Sequence, residues 1–137
     1  GLASFDEWEE TKKIRRSLYK LYLEKLKRLG DLISFQSKNI DGIYPLMPIA
    51  LPQFADVHEI RARLSAAGIE TRRWYSPSLH MHPALAKFSN GSGLSVAADL
   101  GQRIVGLPFF IGLSEGQISY ICDQLAVALD QSPKVSK

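Results

Sequence analysis

The sequence holds one cysteine, Cys122, among 137 residues. A single thiol excludes an internal disulfide and any metal site built from several cysteines. It fits a reducing compartment, and a cytoplasmic protein is the expectation. Long apolar runs are missing too. The best candidate, Ile43 to Leu51, is too short to cross a bilayer and is broken by Pro45 and Pro48. No membrane partner is expected. No leader pattern opens the chain, which runs from Gly1 straight into Asp6 and Glu7. No phosphate-cradling glycine loop occurs, since Gly91-Ser92-Gly93 lacks both the lysine and the preceding strand. With only three histidines present, no serine–histidine–acid order can be argued from the sequence.

Hydrophobic residues make up 45% and charged residues 23%, a composition that folds rather than stays disordered. The length suits one domain. The net charge is +3, and the first thirty residues carry eight Lys or Arg against five Asp or Glu. The acids (Asp6, Glu7, Glu9, Glu10) precede most of the bases. That order complements the dipole of one helix. It forms no basic stripe with a reading element, so nucleic acid is not an expected partner.

Phe5, Trp8, Ile14, Leu18, Leu21, Tyr22, Leu26 and Leu29 recur at helical spacing, and Gly30 is a stop signal. The pattern predicts a helix over residues 5–29, roughly 37 Å long at 1.5 Å per residue. One small domain does not need that length, so one end is expected to pack against something outside this chain. Leu32 to Phe35 reads as a short strand. Tyr44 to Leu51 reads as extended, and its prolines point to an edge or irregular strand. Asp56, with Glu59 three residues on, starts a helix bearing Val57, Ile60, Leu64 and Ala67, and Gly68 ends it. Ile69 to Tyr75 reads as a strand. Pro83 to Phe88 is a helical turn and Ser89 to Gly93 a loop. Val96, Ala97, Leu100 and Ile104 support a further helix, followed by a brief apolar segment, Val105 to Leu107. Ser114 and Gln117 form a capping box for the last helix, whose apolar face holds Ile118, Ile121, Cys122, Leu125 and Leu129.

The expected fold is therefore α/β, a two-layer α+β sandwich. A small, mostly antiparallel sheet is covered by helices and preceded by one long N-terminal helix. The divisions are a long interdomain helix over 1–30, a small C-terminal α/β domain over 31–131, and a frayed tail over 132–137.

Chemistry is sparse. His80 and His82 flank Met81 but have no third ligand at a diagnostic spacing, so no metal site is assigned. Arg72 and Arg73 alternate on the predicted strand and should point to opposite faces. One of them can reach an anion in a cleft. Trp74, Tyr75 and His80 follow within a few residues and suit a ligand-facing edge. The lysines of the first helix sit among charges, where activation by desolvation is not expected. No residue set is sufficient for catalysis.

The segment Gly68-Ile69-Glu70-Thr71-Arg72-Arg73-Trp74-Tyr75-Ser76-Pro77-Ser78-Leu79-His80-Met81-His82-Pro83 resembles a segment of the DegT-type (DegT/DnrJ/EryC1/StrS) sugar aminotransferases. Leu107 to Glu115 resembles their element before the last helix, and Gly1 to Asp6 resembles their lead into the helix linking large and small domains. Arg16 and Tyr22 lie where that helix usually carries an Arg and a Tyr. The glycine-rich Ser89 to Gly93 departs from the family pattern. The resemblance covers nearly the whole chain, but only the C-terminal part of the family. It implies the aspartate aminotransferase fold and a pyridoxal phosphate (PLP) enzyme. Such an enzyme moves an amino group, typically from glutamate, onto a nucleotide-linked keto-deoxysugar in lipopolysaccharide or deoxysugar biosynthesis. It further implies a homodimer and a large N-terminal domain supplying the Schiff-base lysine and cofactor site. This chain then carries no catalytic, cofactor-binding or metal residue and is inactive alone. His80, Tyr75 and Arg72 are its substrate-binding candidates. The alternative is a non-catalytic binding or dimerisation domain sharing the fold.

Overall fold

The computed structural model describes residues 7–36, 42, 44–73, 76–88 and 93–132. Helix α1 spans Trp8–Leu26. Its buried residues are Leu18, Tyr19, Tyr22 and Leu26, and ahead of them Ile14 packs, partly buried, against this chain's core. Phe5 lies outside the described residues. The helix is shorter than its apolar pattern predicts, because the chain tightens into a 3₁₀ stretch over Lys27–Leu32. Gly30 turns the backbone there at φ 51 and ψ −129, a conformation that favours glycine. The predicted stop is thus a kink, and the helical path continues past it to Leu32.

Three strands form an antiparallel sheet in the order β1-β2-β3: Ser34–Phe35, Met47–Ala50 and Ile104–Leu107. The expectation of an edge strand at Tyr44 to Leu51 is corrected, since β2 is central. Register explains how Pro48 is tolerated there. β1 pairs only with Ile49 and Ala50, so it ends before reaching Pro48. The amide of Leu51 donates to the Arg103 carbonyl at 3.1 Å. By alternation, Ile49 and Met47 take the bonded positions against β3, and Pro48, opposite Gly106, takes a non-bonded one. Its missing N–H faces the side that β1 leaves open.

The expected strand over Ile69 to Tyr75 is also corrected. Its described part, residues 69–73, makes a single bridge, with Arg72 and Gly106 exchanging bonds of 3.0 and 2.8 Å. Two residues along, the next bonded pair would be Glu70 with Pro108. Pro108 has no N–H, so one of that pair's two bonds cannot form, and its carbonyl accepts the Tyr22 hydroxyl at 2.7 Å. The ladder cannot extend in that direction, and the two segments part.

Helix α2, Val57–Ala66, is capped as its sequence predicts. The Asp56 carboxylate accepts from the amides of His58 and Glu59 at 2.8 and 3.1 Å. Glu59 instead pairs with Arg63 at 2.6 Å rather than closing the box. At the other end Gly68 has φ 77, its amide reaches the Ser65 carbonyl, and Ile69 reaches the Leu64 carbonyl. This is a Schellman motif, with Ile69 and Leu64 both buried beneath it. Helix α3 spans Ser95–Arg103 and helix α4 Glu115–Asp130, the latter opened by the full Ser114–Gln117 capping box.

Met47, Ile49, Val105 and Leu107 face the helix layer and join one core with Tyr22, Leu26, Ile60, Leu64, Ile118 and Leu125. The fold is the expected helix-covered antiparallel sheet behind a long N-terminal helix. Ser132 is buried, and the remainder of the tail lies outside the described residues.

Cys122 is fully enclosed in this core, and burial pushes its thiol from 9.0 up to about 11. The unfolded chain then loses that proton first as pH rises. The thiol's contribution is complete below pH 9.0 and declines toward pH 11. The stability gap between the wild type and Cys122→Ala should narrow across that window in pH-dependent melting. A constant gap would contradict it.

Candidate functional site

Where the Ile69–Glu70 segment parts from Leu107–Pro108, an open cavity of about 700 Å³ lies beneath the first turns of α4. Its walls are largely apolar, from Met47, Ile69, Leu107, Phe109, Phe110 and Leu113. Arg72, Glu70, Gln117 and Tyr120 supply the polar groups. Phe110, Ile111 and Tyr120 are about half exposed in the same region. The Tyr120 hydroxyl donates to the Ala67 carbonyl at 3.1 Å, tying α4 to the end of α2. Arg61 donates to the Thr71 hydroxyl at 3.2 Å and fixes the segment that carries Arg72.

Of the three substrate-binding candidates, Arg72 lines this cavity. His80 does not. It lies half-buried on a 3₁₀ turn, Leu79–Met81, in a shallow hollow with Leu79, Leu85 and Phe88. Tyr75 lies outside the described residues, as does Trp74. Arg73 has partners away from this cavity. Its guanidinium donates to Ser76 Oγ at 2.7 Å and to the Gly101 carbonyl at 2.8 Å. Burial, together with the nearby Arg61 charge, holds Arg73 below the usual arginine range. His82 is exposed, and its Nδ1 accepts from the Ala84 amide at 3.3 Å. Among the described residues no group of three His, Cys, Asp or Glu stands close enough to hold a metal.

Sequence reading missed Gln117 and Tyr120 as cavity residues. Gln117 was absorbed by its capping role, and Tyr120 lies off the apolar stripe of α4. The motif from Leu107 to Glu115 was the available signal, because it forms one rim.

A PLP site needs a desolvated amine and a phosphate seat. Lys12, Lys13, Lys20, Lys25, Lys27 and Lys87 are all partly or fully exposed. Lys25 pairs with Glu115 at 3.0 Å, and that hydrogen bond pushes its ammonium above the usual lysine value. The described residues do not fit the group.

The fold is shared with part of solved aminotransferase chains. A Bacillus cereus protein assigned as a PLP-dependent aminotransferase superposes with a TM-score of 0.81 at 25% identity, over 91% of this chain and 34% of that one. A DegT DnrJ EryC1 StrS aminotransferase from Brucella abortus shares the fold at TM-score 0.79 and 24% identity, covering 92% of this chain and 33% of its own. This chain belongs to the DegT/DnrJ/EryC1/StrS aminotransferase family, whose model matches residues 1–126. It is 27% identical to the GDP-perosamine synthase of Escherichia coli O157:H7 over 125 residues, 91% of this chain and 33% of that protein. The chain therefore spans about a third of the length of these relatives.

Proposed function

We propose that this chain is the small domain of a PLP-dependent aminotransferase that transfers an amino group from glutamate to a nucleotide-linked keto-deoxysugar. The observation that carries the reading is the family match over residues 1–126, set beside coverage of only a third of a curated relative. Residues 1–30 link to a large domain that binds the cofactor, residues 31–131 form the small domain, and 132–137 are a tail. The exposed start of α1, with Trp8 at 40% exposure, supports a covering partner beyond this chain. The parent acts in the cytoplasm as a homodimer, and the isolated small domain is inactive. When bound by the parent, PLP supplies the electron sink for the amino transfer.

The roles of this chain's own residues are to bind and orient. Arg72 offers a delocalised cation to the diphosphate of a nucleotide sugar. His80 offers a ring nitrogen to a sugar hydroxyl, and Tyr75 provides a face for the sugar or base.

The test is the parent polypeptide, loaded with PLP and given glutamate and a panel of nucleotide-linked 4-keto-6-deoxysugars. Mass spectrometry should detect an amino sugar from at least one. His80→Ala and Arg72→Ala should each raise the sugar KM by roughly tenfold, about 1.4 kcal/mol, with kcat within about twofold. No amino sugar from any member of the panel would overturn the reading.

A further inference from the structure

The turn that carries His80 is fastened to α3 by two side chains, those of Arg73 and Ser78. Within the turn, the Met81 amide donates to the Ser78 carbonyl at 2.8 Å and the His82 amide to the Leu79 carbonyl at 3.1 Å. The Leu85 amide closes onto the His82 carbonyl at 2.8 Å. These bonds shape the turn but do not place it on the domain.

Placement comes from Ser78 and Arg73. Ser78 is only 7% exposed, and its hydroxyl donates to the Ala97 carbonyl at 2.8 Å. That carbonyl is mid-helix, so the serine uses its second lone pair and leaves the helix ladder intact. Arg73 holds Ser76 Oγ and the Gly101 carbonyl with one nitrogen. Gly101 lies in the last turn of α3, where carbonyls have no intrahelical donor and a cation meets the negative end of the helix. Ala97 and Gly101 are four residues apart and share one face of α3. The two attachments flank the route into the turn, one through Ser76 and one through Ser78. His80 itself is held only by a shallow apolar hollow.

We propose that Arg73 and Ser78 are positioning residues that lock the Ser76–His82 turn onto α3 and so set where His80 meets the substrate. The proposal rests on the substrate-contact reading of His80 given above. It gives a task to the second arginine of the Arg72–Arg73 pair: Arg72 faces the open cavity, and Arg73 fixes the neighbouring turn. Ser78 is the more direct attachment, because it is the residue that enters the 3₁₀ turn. Losing its hydroxyl frees the turn without removing any group that would touch the sugar.

The experiment uses the PLP-loaded parent and the nucleotide-linked keto-sugar selected by the panel. Ser78→Ala, Arg73→Gln, His80→Ala and the Ser78→Ala/His80→Ala double variant are compared. Ser78→Ala and Arg73→Gln should each raise the sugar KM by about fivefold with kcat within about twofold, and Arg73→Lys should recover part of the loss. The double variant should be no worse than His80→Ala, since a lock has nothing left to position. Hydrogen exchange supplies a readout that needs no substrate. The Met81, His82 and Leu85 amides should exchange about tenfold faster in Ser78→Ala and Arg73→Gln, with the amides of α4 unchanged. Unchanged exchange in both variants overturns the lock, whatever the kinetics show. Multiplying KM effects in the double variant overturn it as well, while leaving His80 as a contact. A His80→Ala enzyme with unaltered KM removes the contact itself, and the positioning role falls with it. If Ser78→Ala fails to fold, Arg73→Gln carries both readouts.

Discussion

Leu125→Ala should lower the unfolding free energy of this chain by about 2–5 kcal/mol, the usual cost of a cavity at a fully buried leucine. Leu125 has no exposed surface and belongs to the core cluster of the described residues. It lies on α4, the helix that packs against both α1 and α2. Removing its isobutyl group takes contacts from the centre of the helix layer, which cannot collapse without shifting α1 or α2. Val127, two residues on, is 47% exposed. Val127→Ala on the same helix should stay within about 0.5 kcal/mol. Chemical denaturation of both variants checks the pair. Equal losses would mean that α4 does not present the face assigned to it. Domains are commonly stable by only about 5–15 kcal/mol, so the leucine change should also enlarge the unfolded population of a lone small domain markedly.

Local signals were legible and distant ones were not. Asp56, Gly68, Ser114 and Gln117 act on their own helix ends, so both capped helices could be placed from spacing alone. Strand order depends on which segments meet, and no local signal reports that. The prolines of 44–51 correctly told of a missing donor at Pro48. They could not tell that β1 would stop short and let β2 sit in the middle of the sheet. Ile69 to Tyr75 has strand composition, yet Pro108, almost forty residues away, denies Glu70 a bonded partner and stops the pairing on the Glu70 side of Arg72. The same parting opens the cavity, so the site is a consequence of a non-local event. Arg72 was recognised as a candidate because its type and alternation suit an anion. Tyr120 was not, because its importance lies in reaching the Ala67 carbonyl across two helices.

Pyridoxal phosphate added to residues 1–137, followed by borohydride reduction, should leave no stoichiometric adduct on any single lysine. The same treatment of the parent should label one lysine outside this chain. A covalent seat requires an amine that is neutral at working pH and shielded from water. Lys12, at hydrogen-bond distance from Glu9, and Lys25, beside Glu115, are both charge-paired. The hydrogen bond from Lys12 holds the Glu9 carboxyl below the usual range, and the bond to Glu115 raises Lys25 above its own. The Lys25 pairing favours the charged ammonium, the form that cannot attack an aldehyde. Lys13, Lys20, Lys27 and Lys87 are exposed and lack the shielding from water that a covalent seat requires. Labelling of these residues should therefore be slow, scattered and far below one equivalent. Peptide mass spectrometry distinguishes that pattern from a site. One reduced adduct per chain, concentrated on one of these lysines, would show that the small domain carries a cofactor seat of its own and would remove the basis for assigning that task to a large domain.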